Sequence, residues 1–347
     1  MIDLTRALYL GLVHPHAQLA PWPMLTSGQP AALGEPASTR THARRLARLM
    51  GFASATLAPS TLHVVTDLYA ALPARVRAIH VHACSYAITQ WGLERARLRG
   101  TAIRSFRSVR ELAACLEPCA AIVCDAICVT CRRVAPLVAL QQLAARTNGW
   151  LVIDDSQGLG LLGARPSRAL PYGRGGAGTL RWTGAARDRV IAIGSCAKAL
   201  GVPLAFVAAS EPVVAWFEAT SGTRTYASPC NAASVAGLDA ALRHNEDRGD
   251  ELRARLLDRI RRFRSAVALR GGCLEPGTFP VQTTRPLPAC AARALHDRLR
   301  RRGVRAFRVR GDRGTSRIGF AVTAAHDADA IDLAGAIAGD ELARRRC

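Results

Sequence analysis

The chain has 347 residues, of which 49% are hydrophobic and 21% are charged, so it can bury a sizeable core, and wholesale disorder is excluded. Lys and Arg number 47 against 26 Asp and Glu, which gives a formal net charge of +21. The basic residues are scattered and aromatic residues make up only 5%, a composition that argues against nucleic-acid binding as the main role. No apolar run is long enough to predict a membrane span. The N-terminal segment lacks the pattern of an export signal and the cysteines number eleven, so we expect reduced thiols in a cytoplasm.

Short apolar runs alternate with segments of helical spacing from about residue 41 to residue 210. The pattern predicts helices over residues 41–50, 87–98, 109–116 and 135–146, and strands over residues 78–81, 120–124, 150–153, 190–193 and 205–208. Strands that alternate with helices predict an α/β fold, with a mostly parallel sheet covered by helices. The Gly-rich residues 171–179 predict a mobile loop.

The pattern changes after residue 210, where a polar connection is expected up to residue 234. Beyond it, the sequence predicts helices over residues 231–268, 289–302 and 328–345, and strands over residues 279–283, 304–309 and 317–322. We therefore predict an N-terminal arm (residues 1–40), a large domain (41–215), and a connecting helix with a smaller α+β C-terminal domain (216–347).

Lys198 is the only lysine in the chain, and the other 46 basic residues are arginines. An arginine stays protonated at any working pH, whereas a lysine amine can lose its proton and act as a nucleophile. A lysine retained in such an arginine-rich sequence is therefore a candidate for a chemical role, although a chance surface position would also explain it.

Two predicted strands end in side chains that suit one cofactor. Asp154 directly follows the apolar run of residues 150–153, and Lys198 lies in a small-residue turn after residues 190–193. Ligands of parallel sheets bind beyond the carboxyl ends of the strands. An amine and a carboxylate placed there suit pyridoxal phosphate (PLP), which takes a lysine at its aldehyde and an aspartate at its ring nitrogen. Hydroxyls such as those of Ser60, Thr61 and Ser195 can hold the phosphate.

Several motifs together resemble the fold-type-I PLP enzymes of the α-oxoamine synthase group, within the class I/II aminotransferase superfamily. The resemblance runs through most of the chain, and its motifs are Tyr9-Leu10-Gly11-Leu12, Ala58-Pro59-Ser60-Thr61-Leu62, Ala135-Pro136, Asp154-Asp155-Ser156-Gln157-Gly158, Gly194-Ser195-Cys196-Ala197-Lys198, Ser228-Pro229 and Thr323-Ala324-Ala325-His326. It implies a fold-type-I transferase that works as a homodimer with shared active sites.

The resemblance also implies roles for individual residues. Lys198 corresponds to the lysine that forms the Schiff base, Asp154 to the partner of the pyridine nitrogen, and Ser195 to a phosphate ligand. The family's phosphate loop falls on Ser60, Thr61 and Leu62, and its ring-stacking residue falls on Tyr86. The neighbour of the phenolic oxygen falls on Gln157, and a phosphate ligand from the partner subunit falls on Thr225.

Two positions depart from the family's pattern. The arginine with which the family binds the substrate carboxylate is replaced by Gly319 in this chain. Arg317, two residues earlier, is therefore the candidate for that role. A serine that contacts the cofactor falls on Val129. Asp155 is expected to point away from the cofactor, because successive strand residues face opposite ways.

Other motifs suggest different chemistry. Gly158, Gly160 and Gly163 match G-x-G-x-x-G, but four residues separate them from the strand and no acidic residue follows a second strand, so packing explains them better than a dinucleotide site. Three cysteines and two histidines also have spacings seen in metal sites: Cys124, Cys128, Cys131, His80 and His82. Buried or packed side chains are the better interpretation, and no metal is expected.

Three functions remain open. An α-oxoamine-synthase-like acyltransferase would condense an amino acid or amine with an acyl group carried by coenzyme A or an acyl carrier protein. An aminotransferase would use the same cofactor chemistry on a keto acid. A non-catalytic PLP-enzyme-like binding protein would keep the fold without turnover, and Gly319 and Val129 motivate that alternative.

Overall fold

The computed structural model describes residues 1–129, 132–311 and 314–344. In chain order, its first elements are β1 (Ile2–Asp3), α1 (Ala37–Met50), β2 (Ser54–Ala58), α2 (Thr61–Ala71), β3 (Ala78–His82), α3 (Ala87–Leu98), β4 (Ala102–Phe106), α4 (Val109–Cys115), β5 (Ala121–Asp125), α5 (Leu137–Arg146) and β6 (Trp150–Asp154). They are followed by α6 (Thr179–Thr183), β7 (Val190–Ser195), β8 (Ala205–Ala209), α7 (Glu211–Thr220), α8 (Gly222–Tyr226), α9 (Ala232–Leu269), β9 (Val281–Thr283), β10 (Leu287–Pro288), α10 (Ala289–Arg301), β11 (Val304–Arg305), β12 (Phe307–Arg310), β13 (Thr315–Ala321) and α11 (Ala328–Ala343).

The chain divides into two compact units. The larger unit is Val13–Asp247, and the smaller one combines Met1–Leu12 with Arg248–Cys347. The boundary between them falls inside α9, and the first twelve residues belong to the smaller unit.

A seven-stranded sheet forms the centre of the larger unit. Its strand order is β2-β8-β7-β6-β5-β3-β4. The pairs from β7 to β4 are all parallel, and β8 is antiparallel to both of its neighbours. The predicted α/β fold with a mostly parallel sheet covered by helices is confirmed.

The central strands are buried because their sequences are apolar up to the residues at their carboxyl ends. Every residue of β5 and of β8 is buried, and α2 contributes Val64, Val65 and Leu68 to the same core cluster. Strands covered on both faces read as continuous hydrophobic runs, which explains why the sequence predicts β5, β6, β7 and β8 to within two residues at either end.

Several elements differ from the predictions. β2 and β4 are strands that the sequence pattern does not indicate, since β2 consists of small residues and β4 is an edge strand whose residues are mostly exposed. The connection expected over residues 211–234 contains α7 and α8. The predicted mobile loop of residues 171–179 is wrong: backbone hydrogen bonds join it to residues 160–164, including a reciprocal pair between Ala164 and Arg174.

The smaller unit is built on a second sheet. In it, β13 pairs antiparallel with β9, β10 and β12. A separate two-stranded sheet is formed by β1 and β11, which pair in parallel. Helices α10 and α11 accompany these strands, as expected for an α+β unit. Among the residues that the structure describes, no helix is long and apolar enough to cross a membrane.

Candidate active site

The carboxyl ends of β2, β5, β6 and β7 lie at one edge of the large sheet. Asp125 at the end of β5 is aligned with Asp154 at the end of β6, and Asp154 is aligned with Ile193 near the end of β7. Ala205 of β8 is opposite both Ser195 of β7 and Ala58 of β2, so Ser60 follows a strand that ends at the same edge. The register therefore brings together the residues that the sequence analysis derived from strand ends.

Lys198 lies in a bend three residues after β7 and is half-buried. Burial lowers the pKa of its ammonium group below the ordinary value for lysine, because the charged form loses hydration. The negative charges of Asp154 and Asp125 oppose this shift in pKa. Lys198 therefore has the lowered pKa that a nucleophilic amine needs, and it lies close enough to Asp154 and Asp125 for their charges to act on it.

Asp154 connects the ends of β6 and β7. Its Oδ1 accepts a hydrogen bond of 2.8 Å from the backbone N–H of Ser156, and the Ser156 hydroxyl accepts one of 2.9 Å from the N–H of Ser195. A side chain on Gly194 would approach the Ser156 nitrogen to 2.9 Å, so the close contact of the two chain segments depends on that glycine. These contacts fix the position of Asp154 relative to the turn that leads to Lys198.

Asp155 is held by contacts with the segment that leads into α6. It is buried, and it accepts hydrogen bonds from the N–H and the hydroxyl of Thr179, at 2.9 and 2.5 Å. Burial raises its pKa to about 7, although the bonds from Thr179 act in the opposite direction. Asp155 thereby holds the start of α6 against the end of β6.

Asp125 is a site residue that the sequence analysis missed. It is 9% exposed, its Oδ2 accepts a hydrogen bond of 3.0 Å from the N–H of Tyr86, and burial followed by the charge of Asp154 raises its pKa to about 8. Its buried Oδ1 has no hydrogen-bond partner among the described residues. The signal was available, because Asp125 follows the predicted strand 120–124 as directly as Asp154 follows 150–153.

The predicted phosphate ligands lie at a helix start and in a turn. Ser60 is the N-cap of α2, and its Oγ accepts from the N–H of His63 at 3.5 Å and lies 2.7 Å from His63 Nδ1. The first N–H groups of a helix have no intrahelical acceptor, so those of Thr61 and Leu62 suit an anion. The Ser195 hydroxyl accepts a 3.1 Å hydrogen bond from the N–H of Ala197.

Three further predicted residues surround this edge with less definite contacts. Tyr86 is the N-cap residue of α3, with 57% of its surface exposed, and Gln157 is half-buried in the turn after β6. Thr225 lies in α8, exposed, and its hydroxyl donates to the Ser221 carbonyl at 3.2 Å. The stacking, phenolic-oxygen and partner-subunit roles of these residues remain predictions.

Arg317 belongs to the smaller unit and already has anionic and carbonyl acceptors there. Its guanidinium donates to Glu275 at 2.9 Å and to the Thr284 carbonyl at 3.1 Å. A side chain on Gly319 would collide with the Phe307 ring at 2.5 Å, so the aromatic ring occupies the space that an arginine there would need. A substrate carboxylate would therefore have to compete with Glu275 for Arg317.

The competing motifs have structural explanations. Side chains on Gly158, Gly160 or Gly163 would each come within 3 Å of neighbouring atoms, and this segment forms turns rather than opening a helix, unlike a dinucleotide motif. His80 is fully buried, and His82 contacts the Phe106 ring edge-on. Cys131 lies outside the described residues, and within them no group of three His, Cys, Asp or Glu side chains is arranged to hold a metal ion.

The side chains present at this edge fit the predicted cofactor. Two carboxyl groups, Asp154 and Asp125, accompany a single amine, and Asp125 keeps a buried oxygen without a partner among the described residues. A protonated ring nitrogen would supply the missing positive charge, and the α2 N-terminus with the Ser195 turn would accept a phosphate. The donor set is therefore complete for a group that carries an aldehyde, a basic ring nitrogen and a phosphate.

A match to the aminotransferase class I and II family covers residues 128–334, which is more than half of the chain. The chain belongs to this family. Among curated proteins, it is similar to the 8-amino-7-oxononanoate synthase of Aromatoleum aromaticum, with 34% identity over 229 residues, 64% of this chain and 55% of that protein. The corresponding enzyme of Methylococcus capsulatus is 32% identical over 248 residues, 68% of this chain and 60% of that protein. The family resemblance predicted from the motifs is thus confirmed, although the matched part spans only about half the length of the first relative.

Solved structures with the same fold include two members of the α-oxoamine synthase group. Serine palmitoyltransferase from S. paucimobilis, in a form with bound PLP–myriocin, has a TM-score of 0.85 at 17% identity and covers 99% of this chain and 87% of its own. The 8-amino-7-oxononanoate synthase of Francisella tularensis has a TM-score of 0.78 at 18% identity and covers 100% of this chain and 99% of its own. At this identity, the likeness establishes the fold.

Proposed function

We propose that the protein is a PLP-dependent acyltransferase of the α-oxoamine synthase type, similar to 8-amino-7-oxononanoate synthase, which condenses an amino acid with an acyl thioester. The observation that carries the proposal is the only lysine of the chain, with its pKa lowered by burial, beside Asp154 and Asp125 at the carboxyl edge of the sheet. The relatives named above support the acyl-transfer chemistry. The proposal includes a cytoplasmic homodimer with shared sites, in which Thr225 serves the partner's phosphate site.

Lys198 would carry the chemical role in the proposed site. When bound, PLP supplies an aldehyde for the amine and a ring that accepts electrons from the substrate α-carbon. Lys198 Nζ would hold the cofactor through its aldehyde, and it would hold or move the proton at the substrate α-carbon. A neutral amine can do both, and the lowered pKa of Lys198 makes that form easier to reach.

Asp154 would hold the proton of the ring nitrogen. Its anchorage to the Ser156 N–H leaves the carboxylate fixed at the strand end, where a charged partner is stabilised. Ser60, Ser195 and the first N–H groups of α2 would bind the phosphate, and Tyr86 would lie against the ring. None of these groups needs to change its secondary-structure contacts in order to act.

Substrate recognition is the least conventional part of the proposed site. The acyl donor would be a thioester of coenzyme A or of an acyl carrier protein, both of them negatively charged groups that the arginine-rich surface can attract. The substrate carboxylate would have to displace Glu275 from the guanidinium of Arg317, or else bind elsewhere.

The proposal is tested with PLP-loaded protein, a panel of amino acids and acyl-coenzyme A donors. Condensation predicts release of CO2 and of free thiol in equal amounts, both abolished in Lys198→Ala. The family match favours one competing activity, transamination, which predicts amine exchange that depends on an added keto acid and no thiol release. Binding of PLP without either activity would support the non-catalytic alternative.

A further inference from the structure

A cluster of a thiol, an imidazole and a carboxylate lies outside the residues assigned above. Cys115 is the last residue of α4, Glu117 follows it by two residues, and His80 lies in the middle of β3. Cys115 is exposed, whereas the side chain of His80 is fully buried. The cluster thus combines an accessible nucleophile with a base that is shielded from water.

The distances place the imidazole of His80 between the carboxylate of Glu117 and the thiol of Cys115. His80 Nε2 is 2.5 Å from Glu117 Oε2, and His80 Nδ1 is 3.9 Å from Cys115 Sγ. A carboxylate accepts hydrogen bonds, so the hydrogen-bond arrangement assigns the ring proton to Nε2 and leaves the Nδ1 lone pair facing the thiol. A base oriented by a third group and directed at a nucleophile is the arrangement by which proteins activate cysteine.

The charges around the cluster favour this protonation state. Arg104 of β4, which is aligned with His80 in the sheet, forms an ion pair with Glu117. Burial and the charge of Arg104 lower the pKa of His80, so its imidazole is neutral near pH 7 and can accept a proton. The thiol itself lies 3.4 Å from the Glu111 carbonyl and 3.6 Å from that of Leu112, which do not stabilise a thiolate, so activation falls to His80.

We propose that Cys115 is a modification site, a thiol activated by His80 and Glu117 for exchange with small disulfides such as glutathione disulfide. In the exchange, Nδ1 of His80 takes the proton of Cys115 and Sγ attacks one sulfur of the reagent. The S–S bond of the reagent breaks as the new S–S bond forms, and the departing thiolate receives the proton from His80. The reagent is the oxidant, and one molecule of free glutathione leaves for each cysteine modified.

Two of the other exposed cysteines provide an internal standard. Cys273 and Cys290 are exposed as well, and within the described residues neither has a histidine nitrogen in hydrogen-bonding reach. They experience the same protein, buffer and reagent as Cys115. A difference in rate between these thiols therefore reports the local surroundings of Cys115.

The test treats the purified full-length protein with glutathione disulfide at pH 7 and follows each modified cysteine by peptide mass spectrometry. We expect Cys115 to react about tenfold faster than Cys290, the size of effect that a positioned base provides. Glu117→Gln should bring the rate of Cys115 close to that of Cys290, and Glu94→Gln, which removes an equal charge from α3, should change neither rate. Equal rates in the wild-type protein, or an unchanged Cys115 rate in Glu117→Gln, would overturn the proposal. The wild-type comparison holds even if a variant folds poorly, and it does not depend on the enzymatic activity.

Discussion

Burial controls the protonation of the carboxyl groups at the strand ends. It raises the pKa of Asp125 to about 8 and that of Asp155 to about 7, whereas both would lie near 4 in the unfolded chain. Between these values, the folded protein retains protons that the unfolded chain has released, so the free energy of unfolding falls as the pH rises from about 4 to about 8. The cofactor-free protein should therefore be more stable at pH 5 than at pH 8.

Asp125→Asn tests this at a single residue. The amide mimics the protonated carboxyl group and cannot ionise, so the variant should lose less stability than the wild type between pH 5 and pH 8, by at least about 1 kcal/mol. Denaturant unfolding of the cofactor-free proteins at both pH values measures the difference. If the two proteins lose the same stability, Asp125 does not hold the proton.

Which residues lie at the strand ends could largely be predicted from the sequence, whereas the contacts of these residues could not. Lys198 and Asp154 could be predicted because each follows an apolar run that only a buried strand explains. Asp125 was missed, although the same rule identifies it. The ring of Phe307 lies against Gly319 because of the register of β12 and β13, and Arg317 meets Glu275 because β13 pairs with β9. No local pattern specifies either pairing.

At the scale of elements, the turn that holds Asp155 depends on two glycines with different surroundings. Gly178 precedes α6 with a φ of +94°, and a side chain there would meet Asp155 Oδ2 at 2.3 Å. Gly184 follows α6 with a φ of +73°, and nothing lies within 4 Å of the added atom. Both positions carry the conformational cost of a positive φ for a residue other than glycine. The cost is higher at Gly178, whose ψ of 177° places it in a region essentially confined to glycine, and only Gly178 adds a collision.

The matched pair Gly178→Ala and Gly184→Ala separates these effects. Gly184→Ala should lower the free energy of unfolding by about 1 kcal/mol, and Gly178→Ala by about 2 kcal/mol more, because Asp155 and the start of α6 must shift. Denaturant titrations of both variants provide the comparison. Equal losses would mean that the Asp155 turn adapts freely.

The helices and strands that are more buried were easier to predict from the sequence. Strands β5 to β8 and helix α3 follow the hydrophobic pattern closely, because packing on both sides imposes a continuous or periodic apolar sequence. β2 was missed because Ser54–Ala58 contains mainly small residues, and α2 because its valines and threonines favour strands as much as helices. The Ser60 N-cap was the available signal for the start of α2.

At the scale of the whole molecule, the proposed homodimer makes each site depend on two chains. If Thr225 serves the phosphate of the partner's site, Lys198→Ala and Thr225→Val damage different sites in a mixed dimer. One site then carries both substitutions and the other carries none. Mixing the two poorly active variants under subunit exchange should restore about a quarter of the wild-type activity, the share expected for random pairing.

The same mixture distinguishes the shared site from a site within one chain. If Thr225 acts in its own subunit, every site in the mixture contains one of the two substitutions, and the activity stays at the level of the separate variants. Size-exclusion chromatography of the mixture verifies that dimers are present. Failure to recover activity in exchanged dimers would contradict the role of Thr225.

The most direct test of the central claim is to load the protein with PLP, reduce it with borohydride and locate the modification by peptide mass spectrometry. Lys198 is the only lysine, so the account predicts a phosphopyridoxyl group on the peptide that contains it. Lys198→Arg, which keeps a positive charge, should give no such adduct. An unmodified Lys198 in the PLP-loaded wild-type protein, or an adduct on another amine, would contradict the account.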